Sequence, residues 1–558
     1  MATTHHQGSV ARLTRLGYWP NGWGFSLVGL ALAFQLFMLA QPLDLLVDRV
    51  FDRDDAYYYF RIAQSIAAHG WATFDGIHAS SGVQLLWTGL LVPLAWLFPD
   101  PEAYLRAVLG LCIAFNLCSA VLLYRFCRLI ATPVAADIAL VFFAGLLFEG
   151  SSAFDGIEYG LHLTVLLGIG ISAWRMIVLG EERQTVPLAL LLAANVWTRL
   201  DSAIVSFAVL LLAFSWLLRH SANSARRILQ MSGIMALAGA AYIAVCLWLA
   251  GTPLPLSGTV KTYYAHRFFE GYPFAVEVET LARFWLKIQM TGPLALLPER
   301  IADIGLGDGL HLFSNPQHLA VALFGAAVVV GGPLLLLRDP AYGAGSARLL
   351  RAALFVLALT MVQSAVAVLV MKDFAAVTRH YYGLHALLWI VWGAILLDLA
   401  LRRFDPLVAR LGALVLVLGL AAANVSLAHK TLTDPIDEAN YSVSRLRIAE
   451  QLNGTLPRDA VAAAWNAGAL GYFLDRPVVN LDGLVNDSAF LNHLESGRPL
   501  LSYLRAEGVT YLIDHNQRDL TLRYMEERNP DEFRNGIRWS EVEKIGQTGA
   551  IFVLKLRD

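Results

Sequence analysis

Apolar runs of roughly 18 residues or more recur along this chain, which is the length that a membrane-spanning helix requires. The composition agrees, because 57% of the residues are hydrophobic and only 15% are charged, whereas about a quarter of a soluble protein is charged. The net charge of −2 argues against a nucleic-acid partner. The sequence therefore predicts a polytopic α-helical membrane protein embedded in a lipid bilayer.

Arginines predict how the spans are oriented. Arg12 and Arg15 precede the first predicted span, 26–47, so this end of the chain is expected in the cytoplasm. The apolar segment 83–98 is short for a span, and we predict that it lies in the membrane plane or re-enters. Ten more spans then follow within 104–428, and every arginine cluster falls on the cytoplasmic side. A spanning 83–98 would invert this charge bias for all later loops.

Two domains are predicted. Residues 1–429 form the transmembrane domain, with outer loops at 51–103 and 251–315, and residues 430–558 form an extracytoplasmic tail. In the tail, β-like runs such as PVVNL, VTYLI and AIFVLKL alternate with helical patterns such as SVSRLRIAEQL. This alternation is typical of an α/β domain whose parallel strands are covered by helices.

An acidic stretch, DRDDAYYYFRIAQSIAAHG, directly follows the first apolar run. It contains Asp52, Asp54 and Asp55, followed by a helical pattern over 55–68 that ends at Gly70. A carboxylate beside hydrocarbon is costly, so an acidic pair at this position indicates a function.

The predicted topology gathers further polar residues on the same side of the membrane. They come from separate connections and are His78, Asp155, Glu158, Arg199, Asp201, Lys261, Arg379 and His380. Ordinary explanations exist for single members. One acid of the pair would cap the helix at 55–68, Arg379 would extend from a span end to the interface, and Lys261 would be a solvated loop residue. Arg199 and Asp201 are expected to form a structural ion pair.

Several motifs together resemble the GT-C class of integral-membrane glycosyltransferases, which includes protein O-mannosyltransferases, lipid A aminoarabinose transferases and arabinofuranosyltransferases. DDAYYYFRIAQSIAAHGWATFDGIHASSGVQLLW is close to the acidic pair, helix, glycine and tryptophan segment of bacterial members. FDGIEYGLH is similar to their second acidic motif, TRLDS to their arginine–aspartate turn, PLSGTVKTYY to their long-loop lysine and VVNLDGLVND to their soluble tail. The chain departs from them in SSGVQLLW, where many relatives have Asn-Gly and a Pro before the Trp.

The resemblance implies a GT-C fold of about eleven transmembrane helices with a soluble α/β tail. It also implies a reaction, in which a sugar moves with inversion from a polyprenyl-phosphate donor to a hydroxyl of a glycan, lipid or protein acceptor. The expected location is the outer face of a bacterial plasma membrane. The sugar, for example arabinose or mannose, is left open.

The same resemblance assigns roles. An inverting displacement needs one base, for which Asp54 is the first choice and Asp55 the second. Cations would stabilise the leaving phosphate, and the candidates are Lys261, Arg379, His380 and Arg61. Residues expected to contact or orient the acceptor are Glu158, Tyr57, Trp87 and His78, although an aromatic belt explains Tyr57 and Trp87 equally well. No cofactor is certain, but the acidic cluster could hold a divalent cation through oxygen ligands.

Two other classes of function stay open. A transporter or flippase for a lipid-linked substrate is the main alternative, but transporters place charges near the membrane midplane, whereas here they lie at span ends. A membrane anchor that presents the tail as a binding module would leave the acidic pair without a role.

Overall fold

A computed structural model of the chain describes residues 22–51, 53–148, 154–270, 272–291, 332–340, 342–370, 377–515, 532–534 and 536–557. Arg12, Arg15, Asp52 and most of the predicted eighth span, which ends near Arg338, lie outside these ranges. The tail begins where the last long helix ends, at Thr433.

The first domain is helical throughout its described parts. Its helices are α1 Trp23–Met38, α2 Leu43–Arg49, α3 Asp54–His69, α4 Leu85–Leu97, α5 Pro101–Ile130, α6 Pro133–Phe148, α7 Tyr159–Ile177, α8 Thr185–Thr198, α9 Ala203–His220, α10 Ser224–Ala250, α11 Leu256–Phe269, α12 Phe274–Thr291, α13 Gly332–Arg338, α14 Ser346–Ala365, α15 Val377–Leu401 and α16 Pro406–Thr433.

Seven helices of the described chain are long and apolar enough to cross a membrane. These are α5, α7, α9, α10, α14, α15 and α16, whereas α1, α4 and α6 are apolar but shorter. The protein is therefore a multi-pass membrane protein, and the count of eleven spans stays a prediction.

The first predicted span, 26–47, is not one helix. The chain leaves α1 after Met38 and starts α2 at Leu43, directly after Pro42. Proline has no N–H and its ring clashes with the preceding turn, so it starts a helix more readily than it continues one. The expected span is thereby shortened to the 16 residues of α1.

Helix α4 covers the segment that we predicted to lie in the membrane plane. Its 13 residues make it about 20 Å long, which is less than the roughly 30 Å of hydrocarbon that a spanning helix crosses. It packs against α3, and the Trp96 indole donates to the Ala67 carbonyl oxygen at 2.7 Å.

Helix α3 confirms the pattern read from the acidic stretch. It ends at Gly70, whose φ of 76° is a left-handed conformation that glycine adopts without strain. Tyr57 and Phe60 on one face are buried against Phe51 and Tyr104. This aromatic packing positions the first turn of α3, which carries Asp54 and Asp55.

The tail contains a mixed sheet rather than a purely parallel one. Its elements are α17 Tyr441–Asn453, β1 Ala462–Ala464, α18 Gly468–Phe473, β2 Val478–Asn480, α19 Ser488–Glu495, α20 Leu500–Ala506, β3 Tyr511–His515, β4 Glu532–Arg534, β5 Ile537–Arg538, β6 Val542–Thr548 and β7 Ile551–Leu556. The main sheet has the order β2-β1-β3-β7-β6. Strands β1, β2 and β3 are parallel as predicted, whereas β7 is antiparallel to β3 and β6. The two-residue connection at Gly549 explains the pairing of β6 with β7, because so short a turn can join only antiparallel strands.

Candidate active site

Polar residues from three separate parts of the chain meet at one end of the helical bundle. We call this end the site face and define it by residues 53–55, 155–158 and 199–201. Arg199 is its central residue: its Nη1 donates to Glu158 Oε1 at 2.7 Å, and Nε and Nη2 donate to the two Asp201 oxygens at 3.1 and 3.0 Å. The predicted Arg199–Asp201 ion pair is confirmed, and Glu158 extends it.

A second arginine joins the same network. Arg53 Nε lies 3.3 Å from Asp155 Oδ2, and the guanidinium groups of Arg53 and Arg199 are each 5.9 Å from the centre of the Tyr159 ring. Glu158 and Arg199 are only 2% and 3% exposed. Charges this deeply buried are retained only when they are paired, and here each of the two arginines pairs with an acid.

Polar side chains on α7, α8 and α9 hold the turn that carries Arg199 in place. Asn195 Nδ2 donates to the Ser202 carbonyl oxygen at 3.2 Å and to Ser206 Oγ at 3.0 Å. The His162 ring nitrogen Nε2 lies 2.9 Å from Ser202 Oγ. Sequence reasoning missed these supports, although a polar residue inside an apolar helix is a signal for them.

Tyr59 connects the acidic pair to the network and was also missed. It lies one helical turn after Asp55 on α3. Burial raises its pKa well above the usual value; the charges of Glu158 and Asp55 raise it further, and Arg199 lowers it. The Tyr59 hydroxyl therefore stays protonated, close to Asp55 and Glu158.

Asp54 has a different partner. Its Oδ2 accepts a hydrogen bond from the Gly468 backbone N–H at 2.8 Å and its Oδ1 from that of Ala469 at 2.9 Å. Burial raises the pKa of this carboxyl, while Arg445 and the two backbone hydrogen bonds lower it, and the balance is a raised pKa. Asp54 thus caps a helix, but not the helix at 55–68 that the alternative reading named. The capped helix is α18 of the tail, because α3 has Arg53 at its N-cap and no side-chain cap.

Asp482, a carboxylate of the tail, lies close to Asp54. Tyr58 donates its hydroxyl to Asp482 Oδ2 at 2.9 Å and accepts a hydrogen bond from Asn480 Nδ2 at 3.0 Å. Burial raises the pKa of Asp482 to about 7, with the Asp54 charge adding to the rise and hydrogen bonds opposing it. The carboxyl ends of β1 and β2 therefore meet the start of α3.

Two glycines let the tail approach the first domain this closely. A Cβ at Gly468 would collide with the Asp54 backbone oxygen, and a Cβ at Gly82 would collide with the Leu484 carbonyl oxygen. Both obstacles are backbone atoms, which cannot rotate away as the end of a side chain can.

Replacing Gly468 with alanine is expected to weaken docking of the tail by about 1–3 kcal/mol, because the added methyl group overpacks this contact. Thermal unfolding in detergent and the rate of trypsin cleavage between the domains measure the effect. Gly454→Ala is the matched control, since this tail glycine has open space around its Cβ position and a negative φ. Equal behaviour of the two variants would contradict the close contact.

His78, which we expected to contact or orient the acceptor, lies at the junction of the loop and the tail. Its Nδ1 is 2.6 Å from Asp75 Oδ2 and its Nε2 is 3.1 Å from Glu507 Oε2. Burial lowers its pKa, but the hydrogen bonds and charges of these acids outweigh burial and raise it to about 9. His78 is therefore an imidazolium that links two carboxylates from different domains.

This arrangement predicts a pH dependence. A histidine whose pKa rises from about 6.5 to about 9 on folding contributes its stabilisation fully below about pH 6.5 and loses it as the pH rises through about 9. The contribution is about 3 kcal/mol. The difference in melting temperature between wild type and His78→Gln should therefore shrink from pH 6 to pH 10. His69→Gln, at an exposed position at the end of α3, should show no such trend. If the difference in melting temperature between wild type and His78→Gln stayed constant from pH 6 to pH 10, the prediction that His78 is charged in the folded protein would be wrong.

Three other predicted residues take no part in the ion pairs of the network. Tyr57 is fully buried and Trp87 is 1% exposed, with its indole donating to the Gly156 carbonyl oxygen at 3.1 Å. Neither ring has a face left for a sugar, so we do not retain them as acceptor contacts. Arg61 is half-buried, and burial lowers its pKa; Tyr472, Asp475 and Asp75 are the groups that oppose this. Arg61 therefore faces the tail and the loop rather than the site face.

The remaining predicted cations are on two helices. Lys261 lies in α11 rather than in a loop, and this helix packs on the tail, where Tyr263 donates to the Leu494 carbonyl oxygen at 2.9 Å. Arg379 and His380 are in the first turn of α15, and their side chains are outside the described part. A Cβ at Gly383 would lie 3.0 Å from His162 Nδ1, so the start of α15 passes close to the site face.

Within the described ranges, no three acidic, histidine or cysteine side chains are grouped so that they could hold a metal ion. Arginines occupy the positions beside Asp155, Glu158 and Asp201.

Comparisons with known proteins agree with this architecture. Residues 434–552 match a family model described as a domain of unknown function (DUF8728). No curated protein sequence matches the chain. The apo crystal structure of the Archaeoglobus fulgidus oligosaccharyltransferase is similar, with a TM-score of 0.52, 12% identity, and coverage of 89% of this chain and 70% of that one.

A second solved structure that the chain matches is that of ArnT from Cupriavidus metallidurans bound to undecaprenyl phosphate. The match has a TM-score of 0.39 and 14% identity, and it covers 96% of this chain and 98% of that one. The likeness to the archaeal structure, together with the helical bundle and its C-terminal sheet domain, shows a GT-C fold. The expected fold class is confirmed.

Proposed function

We propose that this protein is an inverting glycosyltransferase that moves a sugar from a polyprenyl-phosphate donor to an acceptor hydroxyl. The observation that carries the proposal is the position of Asp55 close to Tyr59, which in turn lies close to the buried Arg199–Glu158 pair at one end of the bundle. The fold is shared with an archaeal oligosaccharyltransferase. An acidic residue held at the end of an apolar bundle suits a donor whose prenyl chain stays in the membrane.

Asp55 is the base that we favour within the acidic pair. Burial raises the pKa of Asp54, but both of its oxygens already accept hydrogen bonds from the tail, which hold that carboxylate against α18 and oppose its protonation. The Asp55 carboxylate would take the proton of the acceptor hydroxyl while the acceptor oxygen forms a bond to the anomeric carbon. The bond from that carbon to the phosphate oxygen breaks on the opposite face, and the phosphate leaves with the electron pair.

The leaving phosphate gains negative charge, and cations would stabilise it. We assign this role to Lys261, Arg379 and His380, which are on helices that border the tail or the site face. Arg61 is not assigned, because its charged neighbours belong to the tail and the loop. The charges of the network itself are already paired, so the phosphate needs a separate cation.

The orientation is part of the proposal. Arg175, Arg183 and Arg227 pair with Glu181 and Glu182 at the opposite end of the bundle. Because positive residues stay on the cytoplasmic side, the site face and the tail would be extracytoplasmic, at the plasma membrane of a bacterium. An alkaline phosphatase fused after residue 558 should be active in cells if this is correct and inactive if the tail is cytoplasmic.

A divalent cation bound by oxygen ligands stays a prediction. The arginines that pair with Asp155, Glu158 and Asp201 already supply positive charge there. Assays with chelator, Mg²⁺ or Mn²⁺ test the prediction directly.

The function is tested with the purified full-length protein and a panel of radiolabelled polyprenyl-phosphate pentoses and hexoses as donors. Membranes from cells in which the gene has been deleted supply the acceptor. Inversion at the anomeric carbon of the product is expected for at least one donor. Failure to consume any donor, combined with donor translocation in proteoliposomes, would support the flippase alternative instead. The paired charges at one end of the bundle do not favour that alternative.

A further inference from the structure

Asn466 has an unusual backbone conformation. It is the one non-glycine residue of the described chain with a φ in the left-handed region, at 44°. Asparagine tolerates this region better than most residues, but the conformation still costs free energy. Strained positions of this kind persist where the surrounding structure imposes them, and they are often part of a functional site.

Hydrogen bonds impose this conformation. The Asn466 backbone N–H donates to Asp482 Oδ2 at 3.0 Å, and its carbonyl oxygen accepts from the Tyr441 hydroxyl at 2.9 Å. The preceding residue, Trp465, is buried and donates its backbone N–H to Asp514 Oδ2 at 2.7 Å. The backbone is thus held on both sides while the residue itself is exposed. None of the hydrogen bonds among the described residues uses its side-chain amide.

The place of Asn466 in the fold suggests what the amide is for. It follows β1 directly, at the carboxyl edge of the parallel strands, and this is the edge where α/β sheets bind ligands. Two residues later, Gly468 donates to Asp54, and Asp55 is the next residue of the acidic pair. The exposed Asn466 amide therefore lies where the tail packs against the start of α3, close to the proposed base.

We propose that Asn466 is a specificity-determining residue whose amide hydrogen-bonds an uncharged polar group of the acceptor, a hydroxyl or an amide. This inference rests on the proposed function. A carboxamide both donates and accepts, which suits such groups. The Asp54 carboxylate, which accepts hydrogen bonds from Gly468 and Ala469 next to this position, disfavours an acceptor that is negatively charged there.

Asn466→Gly and Asn466→Asp test the role. Glycine adopts a positive φ without strain, so the first variant should melt no lower than wild type while it lacks the amide. Aspartate keeps the shape and the tolerance of this conformation but loses the amide donor. Each purified full-length variant is assayed with the radiolabelled polyprenyl-phosphate sugar panel. One readout is hydrolysis of the donor by water. The other is transfer of the sugar to the acceptor in membranes from cells in which the gene has been deleted.

Both variants should hydrolyse the donor within about twofold of wild type. Transfer should fall at least tenfold at limiting membrane acceptor and recover as acceptor is increased, which is a change in KM rather than in kcat. Wild-type transfer by Asn466→Gly at limiting acceptor would overturn the inference and leave the proposed function intact. An equal fall of hydrolysis and transfer would show a purely structural role and also overturn it. A wild-type protein that consumes no donor would remove the proposed function and this inference with it.

Discussion

Replacing Asp55 with asparagine is expected to reduce sugar transfer by a factor on the order of 10²–10⁴, the range for loss of a general base. The protein should keep its fold, because asparagine has nearly the same shape and Asp55 is partly exposed. The measurement is the initial rate of transfer by purified protein from a polyprenyl-phosphate sugar, with the melting temperature recorded for the same sample.

Asp54→Asn is the control that separates the two acids. Asp54 accepts two backbone hydrogen bonds from the tail, so its loss should loosen the tail and increase trypsin cleavage between the domains. Its effect on the rate should be smaller than that of Asp55→Asn. If Asp54→Asn abolished transfer while the tail stayed docked, and Asp55→Asn remained active, the base would be Asp54, as the family pattern first suggested.

Replacing Arg199 with methionine is expected to have the largest effect on stability, about 3–5 kcal/mol. The substitution removes the partner of both Glu158 and Asp201, and an unpaired carboxylate at the buried Glu158 position is costly. The free energy of unfolding in mixed micelles measures this. Transfer should also fall, because Tyr59, which lies close to Asp55, loses a charged neighbour.

Two further variants make this result interpretable. Arg183→Met removes an exposed partner of Glu181 and should change little, since surface ion pairs contribute little. The double variant Arg199→Met/Glu158→Gln should recover part of the stability, because one stranded charge is then neutral. No recovery in the double variant, or equal losses for Arg199 and Arg183, would argue against the buried network.

Structural features that depend only on residues close together in the sequence could be predicted from the sequence alone. The apolar runs indicated the membrane helices, the acidic stretch indicated α3 with its end at Gly70, and TRLDS indicated the Arg199–Asp201 pair. Helix periodicity and turn chemistry operate over a few residues, so the local sequence determines them. The strand order of the tail could be predicted only in part, because β7 pairs with β3, a strand that is distant in sequence.

The assignment of roles within the site needed the tertiary structure. Asp54 and Asp55 are adjacent and chemically alike, and the difference between them comes from Gly468, which is 414 positions away from Asp54. In the same way, His78 is linked to the tail by Glu507, whose hydrogen bond adds to the larger effect of Asp75 on the histidine pKa. A side chain's pKa, burial and partners depend on what packs against it from distant parts of the chain. The sequence by itself therefore located the acidic stretch, the helix that follows it and the tail, and only the folded chain showed that the tail binds Asp54.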